Sequence, residues 1–228
     1  MAAQKSNRFR MGEADMISPR PLAVGIICSS ALSAILSGCT HNATKLDPVL
    51  YEALPSSCAE IAEYAEVATQ SFAGPLYDPD FRYEGSDLFV PNLADTKSCD
   101  IFFVSKAQSW DDPGPTGPRQ RMIIIYFMLS IADNAISAAQ ENLKDNRQGF
   151  GVALPGVGDE AYTTTKSRSE SVESEVNFRS ENLVVTVTAS GKDFSDNSGS
   201  RDLTASTKEA AEAIARSLSD NMQGIMPR

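Results

Sequence analysis

The stretch VESEVNFRSENLVVTVTA, residues 172–189, decides the fold of this 228-residue chain. Apolar and polar side chains alternate over residues 172–178 and again over residues 183–189, which is the period of a half-buried β-strand. The short link between them contains Asn182, a residue type that tolerates the left-handed conformation of a tight turn. The stretch therefore predicts a β-hairpin in an antiparallel sheet that has one covered face.

Further elements are predicted on both sides of this hairpin. A strongly apolar run rich in β-branched and aromatic residues predicts a central strand, and shorter runs predict other strands. Apolar residues at a spacing of three or four predict helices. The predicted strands are residues 88–90, 99–104, 121–129 and 161–166, and the predicted helices begin at Ser56 or Ser57, near Ala132 and at Ser206. The predicted fold class is α+β, with a curved antiparallel sheet of about five strands packed against two or three helices.

Two of these helices begin with the spacing of a capping box. Ser57 lies three residues before Glu60, and Ser206 lies three residues before Glu209. In a capping box the serine oxygen accepts a hydrogen bond from a free backbone N–H of the first turn, and the glutamate returns one. Both serines are therefore predicted to be N-cap residues.

The start of the chain has the order of a bacterial lipoprotein signal peptide. Basic side chains precede an apolar run of about 16 residues, which is shorter than the roughly 20 that a membrane-spanning helix needs. The run ends in the lipobox Leu36-Ser37-Gly38-Cys39. This motif predicts cleavage between Gly38 and Cys39 and attachment of diacylglycerol to the Cys39 thiol. A plain secretory signal followed by a chance cysteine is the alternative.

This cleavage site predicts the organisation of the chain. Residues 1–38 are the signal peptide, residues 39–55 a lipidated tether, and residues 56–228 a single α+β domain on the extracytoplasmic face of the cell membrane. The excised part holds four basic and two acidic side chains, so cleavage changes the net charge from −10 to −12. Such acidity argues against nucleic acid as a partner. We expect the membrane contact to come from the lipid.

The cysteine count predicts one disulfide. Cys28 leaves with the signal peptide and Cys39 carries the lipid, so only Cys58 and Cys99 remain. An exported protein meets an oxidising compartment, where an even pair of cysteines is normally bridged. Two buried free thiols are the alternative.

The predicted domain offers few residues for catalysis. The only histidine is His41, in the tether, so nucleophilic triads and histidine-ligated zinc have no histidine in the domain. Asp159 and Glu160 follow a glycine-rich segment and are the candidates for a carboxylate-based hydrolase. However, adjacent strand residues point to opposite faces, which is poor geometry for a shared site. We therefore predict no catalytic residues, no cofactor and no metal.

Residues 74–97 are rich in Pro, Asp and Gly and predict an irregular excursion with scattered aromatic residues. These aromatics, together with the single tryptophan of the chain, are the candidates for a ligand groove between sheet and helices. They are Tyr77, Phe81, Tyr83, Phe89 and Trp110. Alternatively, the aromatics fill the core beneath a long loop, and Trp110 caps the edge of that core.

Several segments together resemble a known family. They are the lipobox, Cys58 at a helix start, Cys99 at a strand start, the segment 154–162, the hairpin 176–187 and the closing helix. In this combination the chain resembles actinobacterial cell-envelope lipoproteins with the domain of unknown function 3558. More distantly, it resembles extracellular sensor domains of mycobacterial serine/threonine kinases. The resemblance implies an α+β fold and a surface role in binding or sensing, and it implies no established reaction.

These observations predict a membrane-anchored envelope lipoprotein with a non-enzymatic domain for ligand binding or sensing. Its partner is an unknown small molecule, glycan, lipid or protein. A protein–protein interaction module of the envelope is the alternative, and a carboxylate-based hydrolase is a third reading.

Overall fold

A computed structural model describes residues 50–90, 93–105, 119–147, 151–167, 171–193 and 203–227, without the side chains of residues 88–90. The chain divides into the units Met1–Lys45 and Leu46–Arg228, and all described residues belong to the second unit. The predicted signal peptide and the lipobox residues Gly38 and Cys39 lie outside the described residues. Among the described helices, none is both long enough and apolar enough to cross a membrane.

Seven antiparallel strands form one sheet. They are β1 (Glu84–Val90), β2 (Ala94–Val104), β3 (Arg119–Ser130), β4 (Val152–Ala153), β5 (Glu160–Ser167), β6 (Val172–Ser180) and β7 (Leu183–Asp193). Their order across the sheet is β1-β2-β3-β7-β6-β5-β4. The predicted hairpin is the pair β6–β7 near the centre of this sheet, and the predicted α+β antiparallel class is confirmed.

The prediction of about five strands is too low. Only the last three residues of β1, residues 88–90, are predicted as a strand, and β4 is not predicted, because both edge strands carry little of the pattern that reveals a strand. The first half of β1 is polar and contains Gly85, and this strand pairs only with β2 at one edge of the sheet. An edge strand buries less side-chain surface than a central one, so it needs no apolar alternation. The opposite edge, β4, has only two residues, which is too short for any periodic signal.

Three main helices cover the sheet: α1 (Cys58–Ala73), α2 (Ala135–Asn146) and α3 (Thr204–Asp220), with a short α4 (Met222–Ile225) after α3. Helices α1 and α3 pack against each other, and α3 also packs on β6 and β7. The core between them and the sheet is filled by fully buried aliphatic and aromatic side chains from helices and central strands alike. They include Ile61, Ile123, Ile125, Phe127, Phe178, Val185, Val187, Ile214 and Leu218.

The second face of the sheet is covered at one end by α2, whereas the sequence predicts only one covered face. Ala139 and Leu143 of α2 pack on Val184 and Tyr162, whose positions alternate with those of the main core. The Tyr162 hydroxyl donates a hydrogen bond to the Leu143 carbonyl at 2.7 Å, and burial raises the pKa of Tyr162 well above its usual range. Helix α2 thus divides this second face into a covered and an uncovered part.

Neither predicted capping box forms. Ser57 is the N-cap of α1 but makes no side-chain capping bond, and the hydroxyl of Ser56 donates to the Glu60 carboxylate at 2.5 Å instead. Helix α3 begins two residues before Ser206, and the Ser206 hydroxyl donates to the Leu203 carbonyl at 3.1 Å. The spacing placed both helices within two residues of their starts, although the expected capping bonds are absent.

In the hairpin turn, the left-handed conformation lies at a different residue than the sequence predicts. Glu181, not Asn182, has the positive φ of 52°. Asn182 is buried, and its side-chain oxygen accepts from the Tyr51 backbone N–H at 3.0 Å. Its amide donates to the carbonyl oxygens of Tyr51 and Ser130, at 3.1 and 3.0 Å. Tyr51 itself is buried, so the end of the predicted tether belongs to the folded unit.

Candidate functional site

Three of the predicted groove residues meet in one cleft. Tyr77, Phe81 and Tyr83 lie on the segment between α1 and β1, and together with Ile101 of β2 they line a cleft of about 350 Å³ against α1. We call this the aromatic cleft. Its volume is within the usual range for small-molecule sites, and its walls are mostly apolar with a few charged groups at the rim.

The floor of the aromatic cleft is continuous with the core. The Phe81 and Tyr77 rings lie 5.3 and 6.0 Å from the ring of Phe103, which is fully buried in β2. Phe81 nevertheless keeps 38% of its surface exposed. The two alternatives from the sequence, a groove lining and a core plug, therefore describe two sides of the same side chains. One side of the Tyr77 and Phe81 rings packs toward Phe103, and the other side lines the cleft.

Tyr83 is a half-buried polar group of the cleft, paired with the buried Thr69. Its hydroxyl lies 2.8 Å from the Thr69 hydroxyl of α1, and either oxygen can donate. Burial raises the pKa of Tyr83 to about 12, although the hydrogen bond with Thr69 opposes this rise. Tyr83 therefore stays a neutral hydroxyl at physiological pH and fixes the position of the segment against α1.

Charged groups stand at the rim of the aromatic cleft. The Tyr77 hydroxyl donates to the Glu66 carboxylate at 3.2 Å, and desolvation followed by the Glu66 charge raises the pKa of Tyr77. Glu63 lines the same cleft from the preceding turn of α1. Arg82 bends back to donate to the carbonyl oxygens of Pro79 and Phe81, which leaves its planar cation at the cleft.

The disulfide holds the wall of the cleft to its floor. Cys58 at the start of α1 and Cys99 in β2 are bridged, with their Cα atoms 5.6 Å apart. Gly85 of β1 pairs with Cys99, and a Cβ at this position would lie 3.0 Å from the Cys58 sulfur. The lack of a side chain at Gly85 therefore lets the edge strand pass beside the bridge.

The remaining predicted site residues cannot be placed in the cleft. The side chain of Phe89 and the whole of Trp110 lie outside the described residues, as do Gly38 and Cys39. The structure thus brings together Tyr77, Phe81 and Tyr83 of the five predicted groove residues.

A second groove, which the sequence does not predict, lies on the uncovered part of the second sheet face. It has a volume of about 650 Å³ and is lined by Tyr126, Arg147 and Lys166 among other polar residues. The Thr186 hydroxyl donates to the Asn177 side-chain oxygen at 2.6 Å, and the Asn177 amide donates to Glu175 at 2.5 Å. The alternating polar residues of β6 and β7 signal a polar sheet face, but only the position of α2 turns it into a groove.

A third groove separates α1 from α3 on the outer side of the helical layer. Its volume is about 650 Å³, and small residues such as Ala68, Ala213 and Ser71 line it. Val67 stands at this groove with 81% of its surface exposed. Val67 thus adds apolar surface to this groove, outside the face of α1 that Ile61, Ala65 and Phe72 bury in the core.

The candidate carboxylates Asp159 and Glu160 do not converge. Asp159 pairs with Arg179 at 2.7 Å and accepts the Glu181 backbone N–H at 2.8 Å, so it holds the β6–β7 turn. Glu160 is exposed at the start of β5. Asp159 therefore has a structural role that accounts for its position after the glycine-rich segment.

No family model and no curated protein matches the chain. Among solved structures, it is similar to the protein whose crystal structure is described as "LpqN involved in cell envelope biogenesis of Mycobacterium tuberculosis". The similarity covers 62% of this chain and 96% of that chain, with 14% sequence identity and a TM-score of 0.26. A likeness this low transfers neither fold nor function, and membership in the family with domain of unknown function 3558 stays a prediction.

Proposed function

We propose that this protein is an envelope lipoprotein whose domain binds a small ligand in the aromatic cleft without transforming it. The proposed location, on the extracytoplasmic face of the membrane, rests on the lipobox that ends at Cys39. The proposed binding rests on the structure of the cleft. The sequence offers Asp159 as a candidate catalytic carboxylate. In the structure it forms an ion pair with Arg179, and this pairing supports a structural role for Asp159.

The observation that carries the binding proposal is the convergence of Tyr77, Phe81 and Tyr83 on one cleft of about 350 Å³. Aromatic rings provide large apolar contact surfaces at low cost in conformational entropy, and few charged groups then fix the orientation of a ligand. Here the charged groups are Glu63 and Glu66 on α1 and Arg82 on the segment between α1 and β1.

The chemistry of the rim defines the ligand class. Carboxylates accept hydrogen bonds, so Glu63 and Glu66 favour a ligand with hydroxyl or ammonium donors, while Arg82 favours an acceptor at the other end. We therefore expect a partly apolar molecule with polar groups at both ends. An envelope glycan, a lipid headgroup or a short peptide meets this description.

The experiment is a binding screen on the purified protein, with envelope glycans, lipids and peptides and the shift of the unfolding temperature as the readout. For any ligand found, Phe81→Ala should weaken binding about tenfold, since the ring loses its contact surface. The matched control is Val152→Ala, which truncates an exposed aliphatic side chain on β4 at the opposite edge of the sheet. Equal affinities of both variants, or no temperature shift with any compound, would contradict the proposal.

A second candidate function, a protein–protein interaction module, is favoured by the groove between α1 and α3. Val67 has 81% of its surface exposed there, beside small residues that leave room for a partner's side chains. A pull-down from envelope extract with the lipid-anchored protein and its Val67→Glu variant discriminates between the two functions. A partner lost from the variant, with ligand binding at the aromatic cleft unaltered, supports the interaction module.

A further inference from the structure

Three large apolar side chains are exposed together at one end of the sheet. Leu50, Leu93 and Ile131 keep 39%, 64% and 41% of their surfaces exposed. The Ile131 backbone N–H donates to the Leu93 carbonyl at 3.3 Å, which joins the β1–β2 turn to the end of β3. Asn182 then links Ser130 to Tyr51, the neighbour of Leu50. We call these three residues the entry surface, since the chain enters the domain there.

The proposed lipid anchor lies close to the entry surface along the chain. Cys39 precedes Tyr51 by twelve residues, which in a fully extended chain span at most about 40 Å. Strand β3 has 12 residues and is about 35 Å long, so the far end of the sheet lies about that distance from the entry surface. If the far end contacted the bilayer, the tether would have to be almost fully extended along the sheet. If the entry surface contacts the bilayer, the tether can stay short.

We infer that the entry surface contacts the membrane. Leu50, Leu93 and Ile131 insert into the same bilayer in which the lipid of Cys39 is anchored. This inference rests on the lipid anchor of the proposed function and adds a contact made by the protein itself. The orientation that follows places the aromatic cleft away from the membrane, because Ile101 of the cleft pairs with Ile123 in the half of β2 that is distant from the entry surface.

The charges beside the entry surface define the kind of lipid. Glu52 and Asp133 are exposed next to Leu50 and Ile131 in the chain, and both are acidic. Anionic headgroups repel such carboxylates, so the contact is apolar in origin and is strongest with zwitterionic lipid. Basic residues would be expected instead if the surface bound anionic lipid through charge.

The test uses the mature, lipidated protein in phosphatidylcholine vesicles, with one added cysteine that carries an environment-sensitive fluorophore. The added cysteine is placed by Leu93→Cys or by Ile131→Cys. The matched control is Val104→Cys, which lies at the far end of β2 and has 38% of its surface exposed. Spin-labelled lipids in the bilayer should quench the fluorophore several-fold more at positions 93 and 131 than at position 104. Replacing part of the phosphatidylcholine by phosphatidylglycerol at low salt should reduce this difference.

Two outcomes separate the inference from the proposal on which it rests. If the protein floats with vesicles through a lipidated Cys39 but all three positions are quenched equally, the entry surface is overturned and the anchor stands. If no lipid is found on Cys39 and the protein does not float, the proposed location fails. The unlipidated Cys39→Ala protein provides the last control. A fluorophore at position 131 that is already in an apolar environment without vesicles shows that the tether or a second copy covers the surface, which also overturns the inference.

Discussion

Arg121 of β3 and Asp193 of β7 form a bidentate ion pair inside the protein, with nitrogen–oxygen distances of 2.6 and 3.1 Å. Both side chains are about nine-tenths buried, and the Arg121 guanidinium also lies 5.6 Å from the centre of the Phe72 ring of α1. The pair thus joins the two central strands to the helical layer at the end of the sheet away from the β6–β7 turn. Because both charges are removed from water, each depends on the other for compensation.

The first prediction concerns the loss of one of these charges. Arg121→Met leaves the Asp193 carboxylate buried without its partner and should lower the free energy of unfolding by about 3–5 kcal/mol. The double variant that adds Asp193→Leu removes both charges and should recover most of the loss. Urea unfolding of the three proteins measures the effect. A double variant that is as unstable as Arg121→Met would show that packing, and not the unpaired charge, causes the loss.

Asn182 provides the second prediction, because its side chain makes three hydrogen bonds to backbone groups of Tyr51 and Ser130. Asn182→Ala leaves these buried groups without partners and should cost about 2–4 kcal/mol. Asn182→Asp retains the acceptor for the Tyr51 N–H but sets a carboxylate oxygen against the Tyr51 and Ser130 carbonyl oxygens, so it is the control for the Tyr51 N–H bond alone and not for stability. Amide hydrogen exchange of Tyr51 should accelerate far more in the alanine variant. Unchanged exchange in both variants would mean that packing alone holds the N-terminal segment.

The strands of the main core could be predicted because burial of one face imposes a pattern on the sequence. Residues 172–178 and 183–189 alternate since one side of each strand faces α3 and the core, and the predicted hairpin is present. Strand β1 lacks this pattern because it is a polar edge strand with one neighbour. The sequence therefore predicts only residues 88–90 of β1 and does not predict β4, which are the parts of the sheet where the apolar pattern is weakest.

The candidate site was predictable only in part for a similar reason. Tyr77, Phe81 and Tyr83 are conspicuous in a segment rich in Pro, Asp and Gly, so composition alone selects them. Their meeting place depends on Phe103 and Ile101, which the sequence shows only as strand residues. The polar groove beside α2 depends on which part of the second sheet face that helix covers. Such contacts between distant segments leave no local signal in a single sequence.

The third prediction concerns the two glycines before β5, Gly156 and Gly158, which both have positive φ, of 74° and 54°. A Cβ on Gly158 would collide with the carbonyl of Arg179 in β6, whereas a Cβ on Gly156 would find its nearest neighbour, an Arg216 nitrogen, at 3.7 Å. Gly156→Ala should therefore cost about 1 kcal/mol for the backbone conformation alone. Gly158→Ala should cost about 3 kcal/mol or more, because the backbone must also shift. Thermal unfolding of the two variants checks the order, and equal losses would contradict the predicted collision.

Removal of the disulfide is the fourth prediction. The bridge between Cys58 and Cys99 closes a loop with a sequence separation of 41, so its loss should cost about 4 kcal/mol in the chain-entropy model. We expect the double variant Cys58→Ala with Cys99→Ala to lower the unfolding free energy by this order. It should also loosen α1 from β2 and thereby weaken binding in the aromatic cleft. Reduction of the unaltered protein is the control for the substitutions themselves. Full stability after reduction would show that the bridge contributes little.

The final prediction concerns Tyr83 and alkaline pH. Burial raises its pKa from 10.0 to about 12 in the folded protein, whereas the unfolded chain has the ordinary value. Below pH 10 both states keep the proton, so stability does not change. Between pH 10 and 12 the unfolded chain releases its proton before the folded protein does, so ionisation favours the unfolded state and stability falls as the pH rises.

Tyr83→Phe removes this group, and the slope of stability against pH in that window should become shallower. Urea unfolding across the window measures the slope, with Tyr126→Phe as a control that removes a hydroxyl outside the aromatic cleft. An unchanged slope in the Tyr83→Phe protein would show that the Tyr83 hydroxyl reaches water in the folded state. The cleft would then be open to water at Thr69, where the structure has a 2.8 Å hydrogen bond between the two hydroxyls.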